Sequence, residues 1–333
     1  LRDAGACNED HTPGAFARSH RRNTAAREPL AAPPLYRKAP YREEETMRPT
    51  AKLLLLTLLT TMVLTGCSRA TLVYRNIDML VPWTLNDYLD LDRSQQRELR
   101  QRLREHLAWH CSTQLPELLA SVEQLERDSA DGQLDQSDLQ PHYRAVREAM
   151  HTIAVEITPT ASNVLRALSD DQVAELRKGL EENRREHREK YLAPPLDQQI
   201  RERAERMQER LSYWFGDLNA EQRQRVLVWA HALREQNSRW LENRERWQTM
   251  LLAAVEDRQD DDFDNRIAQL LQEREALMNE SDRGTLQRAE QAGLELVADL
   301  YNLADDGQRT HLTGRLAQLR KDFGSLKCMA PAA

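Results

Sequence analysis

Glycine is scarce in this chain, with 11 among 333 residues, and aromatic side chains make up only 5%. Sheet proteins draw on both, so the shortage points to long helices. No HExxH, phosphate-binding glycine loop, GxSxG or CxxC occurs. That removes the signatures of zinc proteases, P-loop enzymes, serine hydrolases and dithiol redox proteins. The expectation is a non-enzymatic protein with no cofactor and no metal site. A basic stripe is missing too: 47 Lys and Arg stand against 54 Asp and Glu. Residues 1–66 hold ten of the former and seven of the latter, which leaves about −10 on the rest. This sign argues against nucleic acid, or an anionic lipid surface, as the main partner.

What is present begins with a change at Met47. Residues 1–46 carry proline, arginine and asparagine with no apolar period, including Pro33-Pro34. Such a composition buries too little surface to offset chain entropy. Two expectations fit it: a mistranslated upstream region, with Met47 the true start, or a disordered extension. The Glu43-Glu44-Glu45 run before Met47 favours the first, because purine-rich glutamate codons look like a ribosome-binding site. After Met47, Arg48 and Lys52 precede an uncharged apolar run from Leu53 to Leu64. About a dozen residues are too short to cross a ~30 Å hydrocarbon core, but they suit the core of a signal peptide over 47–66.

That segment ends Leu64-Thr65-Gly66-Cys67, which resembles the lipobox of bacterial lipoproteins. The resemblance implies that Cys67 takes a diacylglycerol on its sulfur and becomes the first residue of the mature chain. Two or three acyl chains make such an attachment stable where one would not. Ser68 follows. In lipoproteins sorted by the enteric rule, aspartate there means retention in the inner membrane. Its absence implies the outer membrane, with residues 67–333 as a helical domain facing the periplasm. Cys111 and Cys328 remain, and in an oxidising compartment they read as one disulfide, with two separate thiols as the alternative.

The periodicity predicts a stretch over 72–91 broken near Pro82. Helices are expected at about 93–111, 116–129, 136–167, 170–191, 196–215, 220–256, 262–280, 283–303 and 306–323. Pro116, Pro159 and Pro194-Pro195 mark breaks or kinks, and Gly132 and Gly216 mark helix stops. The fold class is all-α, an elongated multi-helix bundle. A short pattern recurs at irregular spacing as Leu91-Asp92-Arg93-Ser94-Gln95, Leu168-Ser169-Asp170-Asp171-Gln172, Leu218-Asn219-Ala220-Glu221-Gln222 and Ala304-Asp305-Asp306-Gly307-Gln308. Each places a cap residue three positions before a glutamine, which is a capping box.

The same copies resemble the LTxxQ motif of periplasmic helical chaperones and envelope-stress proteins, which cradle unfolded clients. A wider resemblance rests on Tyr74-Arg75-Asn76-Ile77-Asp78, Val81-Pro82-Trp83, Asp87-Tyr88-Leu89, Gln95, Trp109-His110 and Leu115-Pro116. It is to an uncharacterised gammaproteobacterial lipoprotein family, a domain of unknown function spanning nearly the whole mature chain. Its members carry a basic residue where this chain has Cys111. The resemblance implies a helical periplasmic lipoprotein and supplies no activity.

Three constellations could carry chemistry. His106 and His110 lie four apart with Cys111 adjacent, but neighbouring helical residues diverge by about 100°, so His110 and Cys111 are poorly placed to share a metal. Trp109 and His110 are expected to seat the helix instead. The run Asp260-Asp261-Asp262-Phe263-Asp264 lacks the glycine and final glutamate of a calcium loop and reads as a helix start. Val226, Leu233, Trp240 and Trp247 recur every seven residues, with Trp229 and Leu251 alongside, as a seam packed on another helix or a tryptophan-lined partner groove. Mixed-charge stretches such as Glu181–Lys190 and Arg201–Arg210 read as solvated faces. The functional expectation is a protein held to membrane lipid through Cys67, binding or scaffolding an unidentified envelope protein. The alternative is a chaperone-like or envelope-stress protein.

Overall fold

The computed structural model describes residues 73–129 and 132–326. Residues 1–46, the expected signal peptide over 47–66 with Leu64, Thr65 and Gly66, and Cys67, Ser68 and Cys328 lie outside the described residues. Within them the chain is an all-α, multi-helix bundle with no strand. After a helical turn at 73–75 come α1 (Ile77–Leu89), α2 (Arg93–Asp128), α3 (Gln136–Arg166), α4 (Asp170–Tyr191) and α5 (Leu196–Phe215). Then follow α6 (Ala220–Ala232), α7 (Gln236–Glu256), α8 (Phe263–Gln272), α9 (Glu280–Asn302) and α10 (Asp306–Gly324).

The helix breaks differ from those expected. Pro116 lies inside α2 and does not end it. A proline there gives up one backbone bond, yet Leu107, Cys111 and Leu115 are buried before it and Leu118, Leu119, Val122 and Leu125 stay partly buried after it, so tertiary packing prevails over local propensity. Pro82 is likewise buried inside α1, and the expected interruption falls at Asn76 instead. The opposite error occurs at 220–256, where no proline or glycine signals a stop. The chain leaves the helix at Leu233–Glu235, with Arg234 in the left-handed region at φ 40°. The reason is long-range. Arg203 of α5, only 7% exposed, donates to the carbonyls of Ala230 (2.9 Å) and Arg234 (3.1 Å) and to Asn237 Oδ1 (3.1 Å). It caps the open end of α6, although its stretch reads as a solvated face. The expected 262–280 helix also stops early, at Gln272, before a turn-rich link to α9.

Two main cores result. One joins α5, α6, α9 and the start of α3 around Phe215, Val226, Leu296 and Leu300. The other joins α1, α2, α4 and the end of α7 around Leu89, Leu99, Leu176 and Val255. A smaller cluster around Phe263 and Ile267 seats α8 against α3 and α7. The long helices α2 and α3 pack on each other. Gly216 ends α5 at φ 76°, a conformation side chains with a Cβ rarely adopt, as the sequence anticipates. No described helix is long and apolar enough to cross a membrane.

Candidate functional site: paired turn clasps and an apolar chamber

All four repeated motifs form capping boxes, at Asp92/Gln95, Ser169/Gln172, Asn219/Gln222 and Asp305/Gln308. The glutamines do more than close their own boxes. Gln95 and Gln172 bond each other, Nε2 to Oε1 in both directions at 3.2 and 2.8 Å. Gln172 also donates to the Asp90 carbonyl (2.9 Å) at the end of α1, and Gln95 to the Ala167 carbonyl (3.3 Å) at the end of α3. Each turn therefore caps the helix that leads into its partner.

The second pair repeats the arrangement. Gln308 Nε2 donates to Gln222 Oε1 (2.8 Å) and to the Asp217 carbonyl (2.7 Å), and Gln222 Nε2 donates to the Leu300 carbonyl (3.0 Å). That carbonyl is open because the Ala304 N–H turns to Tyr301 instead. Gln222 is fully buried. A fifth box, Asp135/Asp138 on α3, has aspartate in the glutamine's place. The sequence signal for the clasps was thus the glutamine itself. Glutamate would close a capping box equally well, but only an amide also donates.

Between α1, α2, α3, α4, α7 and α8 lies a chamber of about 410 Å³. Its wall is almost wholly apolar; Val81, Leu85, Leu103, Ile157, Val164 and Leu251 face it and stay only partly buried. The space is partly open to solvent, so it is an apolar cleft between helices rather than a sealed void.

Polar groups meet the chamber at two places. His106 is engaged on both nitrogens, by Glu156 (3.2 Å) and Thr160 (2.8 Å). Arg244 donates through Nη2 to Asn183 Oδ1 (3.0 Å), while its buried Nε has no hydrogen-bond partner. Arg244 and Trp247 also wall a second, 140 Å³ pocket that holds Arg239, Arg246, Arg274 and Trp240. Its acid is the buried Asp282, already engaged by Arg239 (3.6 Å) and Arg246. Arg274 lies over the Trp247 ring at 5.3 Å. Neither Arg244 nor Arg274 has an ion pair among the described residues, so this rim is positive.

The residues singled out in sequence fall in different places. His110 bonds the Tyr74 hydroxyl (3.0 Å) and lies beside Trp109, so it does not join His106. Burial holds its imidazole below the usual range. Cys111 is buried and held in a disulfide. No cluster of three or more potential metal ligands occurs among the described residues. In the acidic run, Asp264 pairs with Arg166 (3.0 Å) at the start of α8. The tryptophan seam is split by the break at 233–235: Val226 and Trp229 enter one core, Trp247 and Leu251 line the chamber, and Trp240 stays 43% exposed. The Arg203 cap, the Arg244 rim and the chamber were not anticipated. Each depends on contacts between different helices.

Fold and site together describe a helical bundle with cross-bonded turns and an apolar cleft between its helices. Residues 87–283, more than half of the chain, match the model described as "Family of unknown function (DUF6279)", and the chain belongs to that family. No curated protein and no solved structure matches it.

Proposed function

We propose that this chain is a lipoprotein anchored to the outer membrane through Cys67, facing the periplasm and binding or scaffolding envelope components without catalysis. The observation that supports membrane seating is the surface of the first described segment. Val73, Met79, Leu80 and Trp83 are all exposed there, Trp83 at 70%. Val73 is six residues from Cys67, so an extended link reaches at most about 20 Å. A patch tethered that close to a bilayer suits contact with its interface, where tryptophan is favoured. Its flank bears Arg104, set beside α1 by its pairing with Asp78 (3.5 Å). Palmitate labelling of the full chain against Cys67→Ala tests this reading. Label and membrane association should both disappear in the variant, and equal labelling overturns the anchor.

A chaperone-like role is the second reading, and the pairing of the four LTxxQ-like copies into two clasps favours it. The purified protein should then delay aggregation of a denatured client at near-equimolar ratio. No delay removes this reading and leaves the first intact.

A further inference from the structure

We propose that the chamber between α1, α2, α3, α4, α7 and α8 binds a single-chain amphiphile, its acyl chain inside and its acidic head group on Arg244. This names a ligand class for the binding role above and rests on that role, but not on the anchor at Cys67.

Three observations meet here. The first is size: about 410 Å³ is roughly fourteen times the ~30 Å³ share of one water, and a methylene is of similar bulk. The chamber therefore accommodates most of a long acyl chain, and it falls in the usual range for ligand pockets. The second is wall chemistry. Leucine, valine and isoleucine from six helices offer no hydrogen bonds, so water is poorly held and hydrocarbon is favoured. The third is charge. Arg244 lines both spaces without an ion pair among the described residues, and Arg274 adds a second unpaired cation to the adjoining pocket. The neighbouring acid, Asp282, is already held by two other arginines. A carboxylate or phosphate head group would give the Arg244 guanidinium the ion pair it lacks among the described residues, and a neutral hydrocarbon would not. Arg244 is thus the residue that sets the head-group preference.

The test is photo-crosslinking in cells that make the full chain and are fed a diazirine-bearing palmitate. Irradiated protein is digested and each adduct mapped by mass spectrometry. Adducts are expected on the chamber-facing peptides of α2, α3 and α7. Their mass distinguishes free fatty acid from a lysophospholipid, and either supports the proposal. Leu251→Trp, which fills the chamber, should abolish them, and Arg244→Leu should cut their yield about tenfold. Should Leu251→Trp fail to accumulate, Leu103→Phe narrows the same space from another helix and should lower the yield at least severalfold. The proposal is overturned by absence of chamber adducts, by adducts that persist undiminished in the filled variants, or by crosslinks that join the chamber only to the Cys67 peptide's own lipid. The same digest reads acylation of Cys67 separately. An unmodified Cys67 with chamber adducts retained sinks the anchor and spares the chamber.

Discussion

Replacing Gln222 with glutamate isolates the clasp from the capping box. The new side chain has the same shape and keeps the oxygen that accepts from the Asn219 N–H (2.9 Å) and from Gln308 (2.8 Å). What it loses is the donor to the Leu300 carbonyl. One hydrogen bond contributes about 1 kcal/mol net, and a buried carbonyl left facing a carboxylate oxygen costs a further 1–3 kcal/mol. Gln222→Glu should therefore destabilise by about 2–4 kcal/mol at pH 7, read by urea unfolding. Gln95→Glu, half-buried, loses two longer donor contacts, to the Ala167 carbonyl (3.3 Å) and to Gln172 Oε1 (3.2 Å), and should cost about 1–2 kcal/mol.

Acid provides the stricter check. Burial raises the pKa of a carboxyl at 222 above the ~4.3 of the unfolded chain. A group whose folded pKa is raised contributes stability that is present below the unfolded value and lost as pH rises through the folded one. Protonated glutamic acid also donates as glutamine does. The deficit of Gln222→Glu should thus shrink between pH 7 and pH 4.5. A variant within about 0.5 kcal/mol of the parent at pH 7, or a deficit that ignores pH, refutes the clasp.

Three further outcomes are expected. An added Cβ at Gly179 would lie 2.9 Å from the Tyr88 ring, whose hydroxyl is held by Asn183, whereas at Gly293 nothing lies within 4 Å. Gly179→Ala should lose about 1 kcal/mol and Gly293→Ala gain about the same in thermal unfolding; equal effects would contradict the α1–α4 packing. Burial depresses the His110 pKa, so the unfolded chain takes up this proton first as pH falls. Stability from this group is complete above the usual ~6.5 and declines below it, and His110→Gln should flatten the midpoint-against-pH curve between pH 7 and 5. Non-reducing peptide mapping should join Cys111 to Cys328, a link made reasonable by Phe323 of α10, whose ring meets Tyr74 at 5.9 Å beside His110. Reduction should then cost about 5 kcal/mol in the chain-entropy model, and any other pairing removes that expectation.

Helix starts were legible from the sequence because capping boxes are local: Asp92, Ser169, Asn219 and Asp305 each cap within three residues. Helix stops set by tertiary contacts were not. The end of α6 depends on Arg203, about thirty residues earlier in the chain, and nothing between Ala232 and Gln236 announces it. Pro116 and Pro82 failed as breakers for the converse reason, since packing of the helix against its neighbours outweighs one lost backbone bond. Cross-bonding of the glutamines was half legible. The choice of glutamine over glutamate in all four motifs was visible, but which copy meets which depends on separations of 77 and 86 residues. The chamber left no trace, because a leucine facing a space and a leucine facing another leucine give the same apolar period.

The first clasp and the chamber belong to one design. The Gln95–Gln172 pair engages the ends of α1 and α3 through Asp90 and Ala167 and the starts of α2 and α4 through its own boxes. Those four helices supply most of the chamber wall. α7 and α8 complete it, and they too are fixed by polar bonds to backbone. Arg258 donates to the Leu168 carbonyl (2.8 Å), Arg166 to the Arg258 carbonyl (3.0 Å) and Trp247 to the Leu270 carbonyl (2.8 Å). Helices held at their ends by directional bonds need less apolar filling between them to keep their spacing. The cost of an open middle is carried at the ends, where amides and guanidinium groups satisfy carbonyls the helices cannot. On this logic Gln172→Leu should act at a distance, lowering the yield of chamber adducts although residue 172 does not line the space. Unchanged adducts in a folded Gln172→Leu protein would show that the chamber holds its shape without the clasp.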